Sequence, residues 1–393
     1  MGRLLGKQHS RDALLGISLL LAALSLVIWP QEAITAMKDG LALCGNVIIP
    51  SLFPFLVLSA LVVELGMSRY LGRLLEPVMA PVFRVNGCCA TALALGFIGG
   101  YPVGARTAIR LYQNGQCSQT EAERLLAFCN NCGPAFILGV VGTGVFGSGT
   151  AGLFLYLGHL AASLLVGILF RFYKPGELPN SNPAQRTQFQ AISFPAAFTH
   201  AVTDALQSTL NICSFLLFFA VMIRILSCSG LLTSLASVLA MLPFPFHLSQ
   251  DWAKKLLTGL LEMSAGVSSL TSGSLTGRLS MAAFLLGWAG LSVHCQVMAF
   301  LGDSGLSLRT YLTGKFLHGL FSAGIVGVMT KVLPTHIPVS LYLTEQTETI
   351  AHLDFQQALT ISAVAAWLVW LLFLLLTACI VKKSSRKRMR SVL

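Results

Sequence analysis

Nine stretches of this 393-residue chain contain no Asp, Glu, Lys or Arg: residues 13–31, 40–63, 85–105, 125–170, 205–223, 225–250, 279–302, 316–330 and 355–381. Several reach the ~20 apolar residues that a helix needs to cross a hydrocarbon core. Only 10% of the residues are charged and 55% are hydrophobic, whereas soluble domains carry about 25% charged residues. Lipid is therefore the solvent for most of the chain, and the fold class is an all-α polytopic membrane protein. The run 125–170 is long enough for two passes, with G-V-V-G-T-G-V-F-G-S-G-T-A-G (139–152) as the turn between them.

The net charge of +11 would point to nucleic acid in a soluble protein. Here the cations gather at membrane edges, which excludes that partner and leaves the bilayer itself. Arg3, Lys7 and Arg11 precede the first span, Arg171, Lys174 and Arg186 follow the run ending at Phe170, and Lys382, Lys383, Arg386, Lys387, Arg388 and Arg390 follow the last. The positive-inside rule assigns all three clusters, and with them both termini, to the cytoplasmic side of the cell (inner) membrane. Residues 332–356 hold no Lys or Arg but carry Glu345, Glu348 and Asp354, so this loop is expected outside. The N-terminus has the charged and apolar parts of a signal peptide without an A-x-A-type cleavage site. It continues through Trp29-Pro30 into more membrane sequence and reads as a retained first span. Most of the ten cysteines lie in apolar runs, where the thiol acts as a small hydrophobe, and their spacing gives no disulfide framework.

A polar linker, Y-K-P-G-E-L-P-N-S-N-P-A-Q-R-T-Q (173–188), divides the chain, and its Pro, Gly and Asn content marks a boundary. Weak repetition spans it. N-V-I-I-P-S-L-F-P-F-L (46–56) resembles N-I-C-S-F-L-L-F-F (211–219), and H-L-A-A-S (159–163) shares its His-x-x-x-Ser spacing with H-G-L-F-S (318–322). G-G-Y-P-V-G-A (99–105) falls opposite L-L-E-M-S-A-G (260–266), and N-N-C-G-P (130–134) opposite V-H-C-Q-V (293–297). The first half runs from outside to inside and the second from inside to outside, which is the inverted-topology plan of many secondary transporters. The expected organisation is an N-terminal transmembrane helix with its connection (1–39), repeat one (40–172), a cytoplasmic linker (173–190), and the inverted repeat two (191–333). An outer loop (334–356), a C-terminal transmembrane helix (357–381) and a basic tail (382–393) complete it. In each half one segment, 96–115 and 256–277, is too rich in Gly, Pro, Ser or Thr for a plain span. Irregular backbone at membrane depth survives only when buried in protein or lining a cavity, so both are expected as re-entrant hairpins or broken helices.

P-S-L-F-P-F (50–55), G-G-Y-P-V-G-A (99–105), F-C-N-N-C-G-P-A-F (128–136) and L-L-E-M-S-A-G (260–266), in that order, resemble the YlbJ-like family of sporulation integral membrane proteins. That family is grouped with the gate, or nucleoside-recognition, domain also named in concentrative nucleoside transporters and in the ferrous-iron permease FeoB. The resemblance spans roughly residues 40–380. It implies an inner-membrane protein of endospore-forming bacteria tied to spore formation, and names no substrate. It also implies that the second cysteine of the asparagine motif is variable, which makes the C-x-x-C spacing incidental.

Asn130 and Asn131 are the first candidates, because an amide in hydrocarbon is unfavourable without partners. Gly133-Pro134 directly after them would end the helix and free its carbonyls. Solute or ion coordination at that break competes with plain inter-helix hydrogen bonding. Gly100, Tyr101, Pro102 and Gly104 form the matching interruption, and Glu262 is an intramembrane carboxylate suited to proton or cation coupling. A static ion pair with Arg106, Arg224 or Lys315 is the competing role for Glu262. His294 and Gln296 fall opposite the asparagines and are placed in the same cavity, whereas His159 and His318 read as packing features. Arg106 reads as a cytoplasmic-edge anchor shared with Arg110, with an anion-attracting helix start after Pro102 and Gly104 as its competing role, and Arg224 as a snorkelling or paired side chain. Cys129 and Cys132 supply two ligands where zinc takes four, so no metal and no cofactor are expected. No H-E-x-x-H, P-loop or nucleophile elbow occurs, so no catalytic residue is assigned. The expected function is a secondary transporter or permease of a small polar solute or ion. A non-transporting scaffold for spore formation is the alternative, and homo-oligomerisation is left open.

Overall fold

A computed structural model describes residues 2–65, 68–175, 193–242, 248–302 and 304–332, and every regular element among them is helical. The expected spans and loops beyond 332, and residues 176–190 of the linker, lie outside the described residues. Helix α1 (Gly2–Ile28) turns by 93° at Trp29 into α2 (Pro30–Leu43). Pro30 opens the new helix, where its missing N–H has no partner to lose. A π-helical turn, Cys44–Ile48, carries α2 into α3 (Ile49–Glu64), and α2 and α3 both pack along α9 (Phe194–Cys228). A second bend, of 95°, separates α4 (Ser68–Phe83) from α5 (Ala90–Gly99).

The centre is built from two hairpins and two interrupted helices. In hairpin 1, α5 reverses at Gly100-Tyr101-Pro102 into α6 (Val103–Gln113). Gly100 has φ 77, a region open to glycine and strained for most side chains. In hairpin 2, α11 (Gln250–Leu261) reverses at Glu262 into the short α12 (Met263–Ser268). Close glycine contacts draw the arms together in both: Gly96 faces Gly104, and Gly259 faces Gly266. The second pair lies 163 and 162 residues after the first, matching the repeat offset read from the sequence. The first interrupted helix is α7 (Gln119–Cys129), followed by non-helical residues 130–133 and a π-helical segment, Ala135–Val145. The second is α13 (Leu275–Trp288) continuing as α14 (Gly290–Leu301) through left-handed Ala289 and Gly290, with φ 79 and 80. Two unbroken helices, α8 (Gly149–Phe170) and α15 (Leu308–Val332), pack between them, and α10 (Leu231–Met241) follows α9.

The turn expected between two passes of 125–170 lies at 146–148, within the predicted glycine-rich stretch. Among the described residues, four helical segments are long and apolar enough to cross a membrane unaided: Gly149–Phe170, Phe194–Cys228, Leu275–Leu301 and Leu308–Val332. Their outward faces carry exposed Leu153, Leu157, Phe218, Phe316, Leu320 and Val328, as lipid-facing surfaces require. Two large apolar cores fill the space between the hairpins, the interrupted helices, α8 and α15. A small third one, around Leu56, Leu95, Val103, Ala205 and Ile212, joins them to α3 and α9.

Candidate functional site: a buried polar cluster at two helix interruptions

Each hairpin tip is pressed against one interruption. A Cβ on Gly96 or Gly104 would overlap the carbonyl oxygen of Cys129, and one on Gly100 would lie 2.9 Å from the nitrogen of Gly133. The mirror contact sets Gly290 against hairpin 2, where a Cβ would stand 2.9 Å from the nitrogen of Met263 and 3.3 Å from the Cα of Glu262. Tyr101, at tip 1, donates its hydroxyl to the carbonyl of Leu286 at 2.9 Å, just ahead of the second interruption. Trp288 donates its indole N–H to the carbonyl of Leu260 at 3.3 Å, just ahead of tip 2.

α7 begins with a capping box between Ser118 and Glu121 and is buried along most of its length. It ends where Gly133-Pro134 cannot extend it, which frees its last carbonyls. Phe128 O accepts from the Asn131 side-chain amide at 3.0 Å and from Ser163 Oγ at 2.7 Å. Asn130 O accepts from Lys315 Nζ at 2.8 Å. The N–H of Cys132 donates to His159 Nε2 at 3.0 Å. His318 donates from Nε2 to the carbonyl of His159 at 2.9 Å, so its Nδ1 lone pair faces Lys315 Nζ at 3.3 Å. The Asn130 side-chain amide donates to Tyr311 Oη at 3.1 Å, and Tyr311 Oη is in turn hydrogen-bonded to His294 Nδ1 at 3.1 Å.

These side chains are almost wholly withdrawn from solvent: Asn130, Asn131, His159, Lys315 and His318 are 0% exposed and His294 is 1% exposed. Five buried polar atoms among them and their neighbour Ser322 have no partner: Asn130 Oδ1, Asn131 Oδ1, His159 Nδ1, His294 Nε2 and Ser322 Oγ. The backbone N–H of Cys132 fixes the role of His159: Nε2 accepts, so in the neutral ring the orphan Nδ1 carries the proton. The cluster therefore holds two unspent amide acceptors and the unspent imidazole donor of His159 in a buried core, each unfavourable by about 1–3 kcal/mol while unpaired.

Not every expected site residue joins this cluster. Asn130, Asn131, Gly133 and Pro134 form the first interruption, and Gly100, Tyr101, Pro102 and Gly104 form the tip beside it. Glu262 meets the second interruption instead, and its carboxylate caps α12. Oε1 accepts from the N–H of Ser264 at 3.1 Å, and Oε2 accepts from the N–H of Ala265 at 2.7 Å and from Ser264 Oγ at 2.5 Å. None of the three expected cations pairs with it: Arg106 bonds Asp204, Arg224 bonds Glu32, and Lys315 turns to Asn130. His294 and Gln296 are buried on α14, after the interruption, because the chain breaks at Ala289-Gly290 and not at 293–297. His294 still reaches the asparagines, through Tyr311. Cys129 and Cys132 are free and buried. Among the described residues no group of three or more His, Cys, Asp or Glu is placed to hold a metal ion.

Lys315 and Tyr311 enter the site although the sequence did not single them out for it. Tyr311, Lys315, His318 and Ser322 recur at steps of four, three and four on α15, which is one face of a helix. That polar stripe on an otherwise apolar span was the available signal. His159 and His318, expected as packing features, lie with ring centroids 4.3 Å apart at the centre of the network.

Fold and site together define a polytopic helical membrane protein in which paired hairpins meet interrupted helices around an occluded polar core. Within that class, the chain belongs to the YlbJ family of sporulation integral membrane proteins. It is 32% identical over 329 residues to the sporulation integral membrane protein YlbJ of Bacillus subtilis (strain 168), a match covering 79% of this chain and 81% of that protein. Residues 47–148, which include hairpin 1 and the asparagine interruption, match the Gate family, described as nucleoside recognition. Two solved structures are similar in outline. One is a CNTnw variant in an outward-facing state, 15% identical, covering 83% of this chain and 87% of that one at a TM-score of 0.41. The other is CNTnw in an inward-facing substrate-bound state, 13% identical, covering 80% and 86% at a TM-score of 0.39. The protein is a sporulation membrane protein with a Gate domain.

Proposed function

We propose that the protein moves a small polar solute or ion across the inner membrane by alternating access, with the cluster around Asn130 and Asn131 as the binding site. The observation that carries this reading is the unspent hydrogen-bonding capacity at the interruption, where acceptors and donors lie together. A neutral solute bearing both N–H or O–H donors and carbonyl-like acceptors would satisfy both sets, and satisfying them is worth more in a buried core than in water. The Gate family's description as nucleoside recognition is in keeping with such a solute. The closed packing corresponds to an occluded state, and the basic clusters orient both termini to the cytoplasm.

The test is uptake into proteoliposomes across a panel of nucleosides, amino acids and divalent cations. The wild type should accumulate at least one member. Asn131→Ala should abolish that uptake, and Glu262→Gln, which keeps an acceptor for α12, should retain it. Uptake unchanged in Asn131→Ala would sink the reading. One observation favours the scaffold alternative: the amide nitrogen of Asn131 is spent locally on Phe128 O, and Ser163 Oγ of α8 is spent on the same carbonyl, as an inter-helix fastener would be. In that case no panel member is accumulated, and Asn131→Ala lowers stability alone.

A further inference from the structure

Lys315 Nζ is held as a bare cation is held. The C-terminal end of a helix carries the negative pole of its dipole. In membrane proteins, unwound carbonyls and the ends of half-helices are where cations are coordinated. α7 ends at such a point, and Asn130 O faces the ammonium at 2.8 Å. An ammonium has three donors and no acceptor. Here one donor meets that carbonyl and one meets His318 Nδ1 at 3.3 Å, while the ring face of Tyr101 lies 5.6 Å away. No carboxylate stands within ion-pair distance among the described residues. The other described groups around the amine include no carboxylate: the Asn130 carbonyl and the Cys129 and Cys132 thiols at the end of α7, the Tyr101 ring from tip 1, His159 from α8, His294 from α14, and His318 from its own helix. An apolar side chain would spare the chain the burial of an amine without a carboxylate partner, so the amine itself has a use.

We propose that Lys315 is a resident cation, its ammonium occupying the position opened where α7 ends at Asn130 in place of a free alkali cation. The oxygen shown at that position is Asn130 O, which the ammonium now takes, and the unspent Asn130 Oδ1 and Asn131 Oδ1 lie on the same interruption as further candidate ligands. This deepens the transport reading by naming the cation at its site. Its test reads thermal stability, not uptake, so the two can fail separately.

Purified full-length protein in detergent is unfolded thermally in choline chloride and in NaCl, KCl or LiCl at equal ionic strength. The wild-type midpoint should be the same in all four salts. Lys315→Ala should unfold earlier in choline and recover several degrees, saturably, in one of the alkali salts. Lys315→Gln fills the space and still donates to Asn130 O, so it should stay folded, unfold earlier than the wild type and ignore the salt. The proposal is overturned if an alkali cation selectively stabilises the wild type, or if folded Lys315→Ala ignores all three cations. It is equally overturned if Lys315→Gln is as stable as the wild type, and that arm decides the matter should Lys315→Ala not fold.

Discussion

Glu262 invites two readings at the level of the single residue, and its geometry separates them. A coupling carboxylate must carry charge that responds to a solute or proton, whereas an N-cap needs only an acceptor in reach of the first turn. The backbone of Glu262 is extended, at φ −142 and ψ 117, and its side chain takes two backbone N–H groups of α12, which is the N-cap arrangement. Substitution by Ala should therefore cost about 1–2 kcal/mol, and substitution by Asn, a good cap without charge, should cost clearly less. Thermal unfolding in detergent gives the order: Glu262 highest, Glu262→Asn next, Glu262→Ala lowest. Equal losses in the Asn and Ala variants would return the charge to the mechanism. The asparagines were legible from sequence because amides beside Gly-Pro in an apolar run have few other uses. Lys315 was not, because a lysine in a span invites a search for a carboxylate. Its actual partners are a backbone carbonyl and an imidazole, which leave no charge pattern to read.

The same contrast holds for whole elements. The reversal at Gly100-Tyr101-Pro102 is written in residues that disfavour helix, and the sequence reading found it. The interruption at Ala289 is not, since alanine is the best of helix formers and takes φ 79 there only under tertiary constraint. Hairpin 2 supplies that constraint, its Met263 nitrogen and Glu262 Cα standing where a bulkier residue than Gly290 would go. Register reasoning alone therefore paired the asparagines with residues 293–297, a few positions past the break. The glycines at the hairpin crossings carry the testable consequence. A Cβ at Gly104 would meet the Cys129 carbonyl, the Cys129 carbonyl carbon and Gly96 Cα, all backbone atoms that cannot rotate away. Gly104→Ala should therefore destabilise by about 3 kcal/mol or more, at the upper end for overpacking. A Cβ at Gly324, on α15, meets nothing within 4 Å, so Gly324→Ala should be neutral or stabilise by up to about 1 kcal/mol. Unfolding midpoints and the monodisperse fraction on size exclusion read both variants, and similar behaviour of the two would contradict the crossing geometry.

For the molecule as a whole, the question is what joins the outer helices α2, α3 and α9 to the hairpin core. The apolar contact there is the small cluster around Leu56, Leu95, Val103, Ala205 and Ile212, with Val63 of α3 joining one of the two far larger cores of the centre. Charge supplies much of the remainder. Arg106 and Arg110, on hairpin 1, share Asp204 of α9, with Arg106 Nη2 at 2.5 Å from its carboxylate. Arg110 also lies 3.4 Å from Glu64 at the end of α3, which in turn holds His200 at 2.7 Å. Arg106 was expected as a cytoplasmic-edge anchor shared with Arg110. The two arginines are indeed shared, but between helices, because both carboxylates lie within their reach. Removing one partner of a largely buried pair strands the other charge, yet here a second carboxylate remains. Asp204→Asn leaves Glu64 to balance the arginines, and Glu64→Gln leaves Asp204, so each single change should be moderate. The double variant leaves two arginines at the interface with no carboxylate, and its loss should exceed the sum of the singles by about 1–2 kcal/mol. Thermal unfolding of the four proteins in one detergent measures that coupling. An additive result would mean that the two carboxylates act independently, and no loss in any of the variants would mean that the outer helices are attached to hairpin 1 by apolar contact alone.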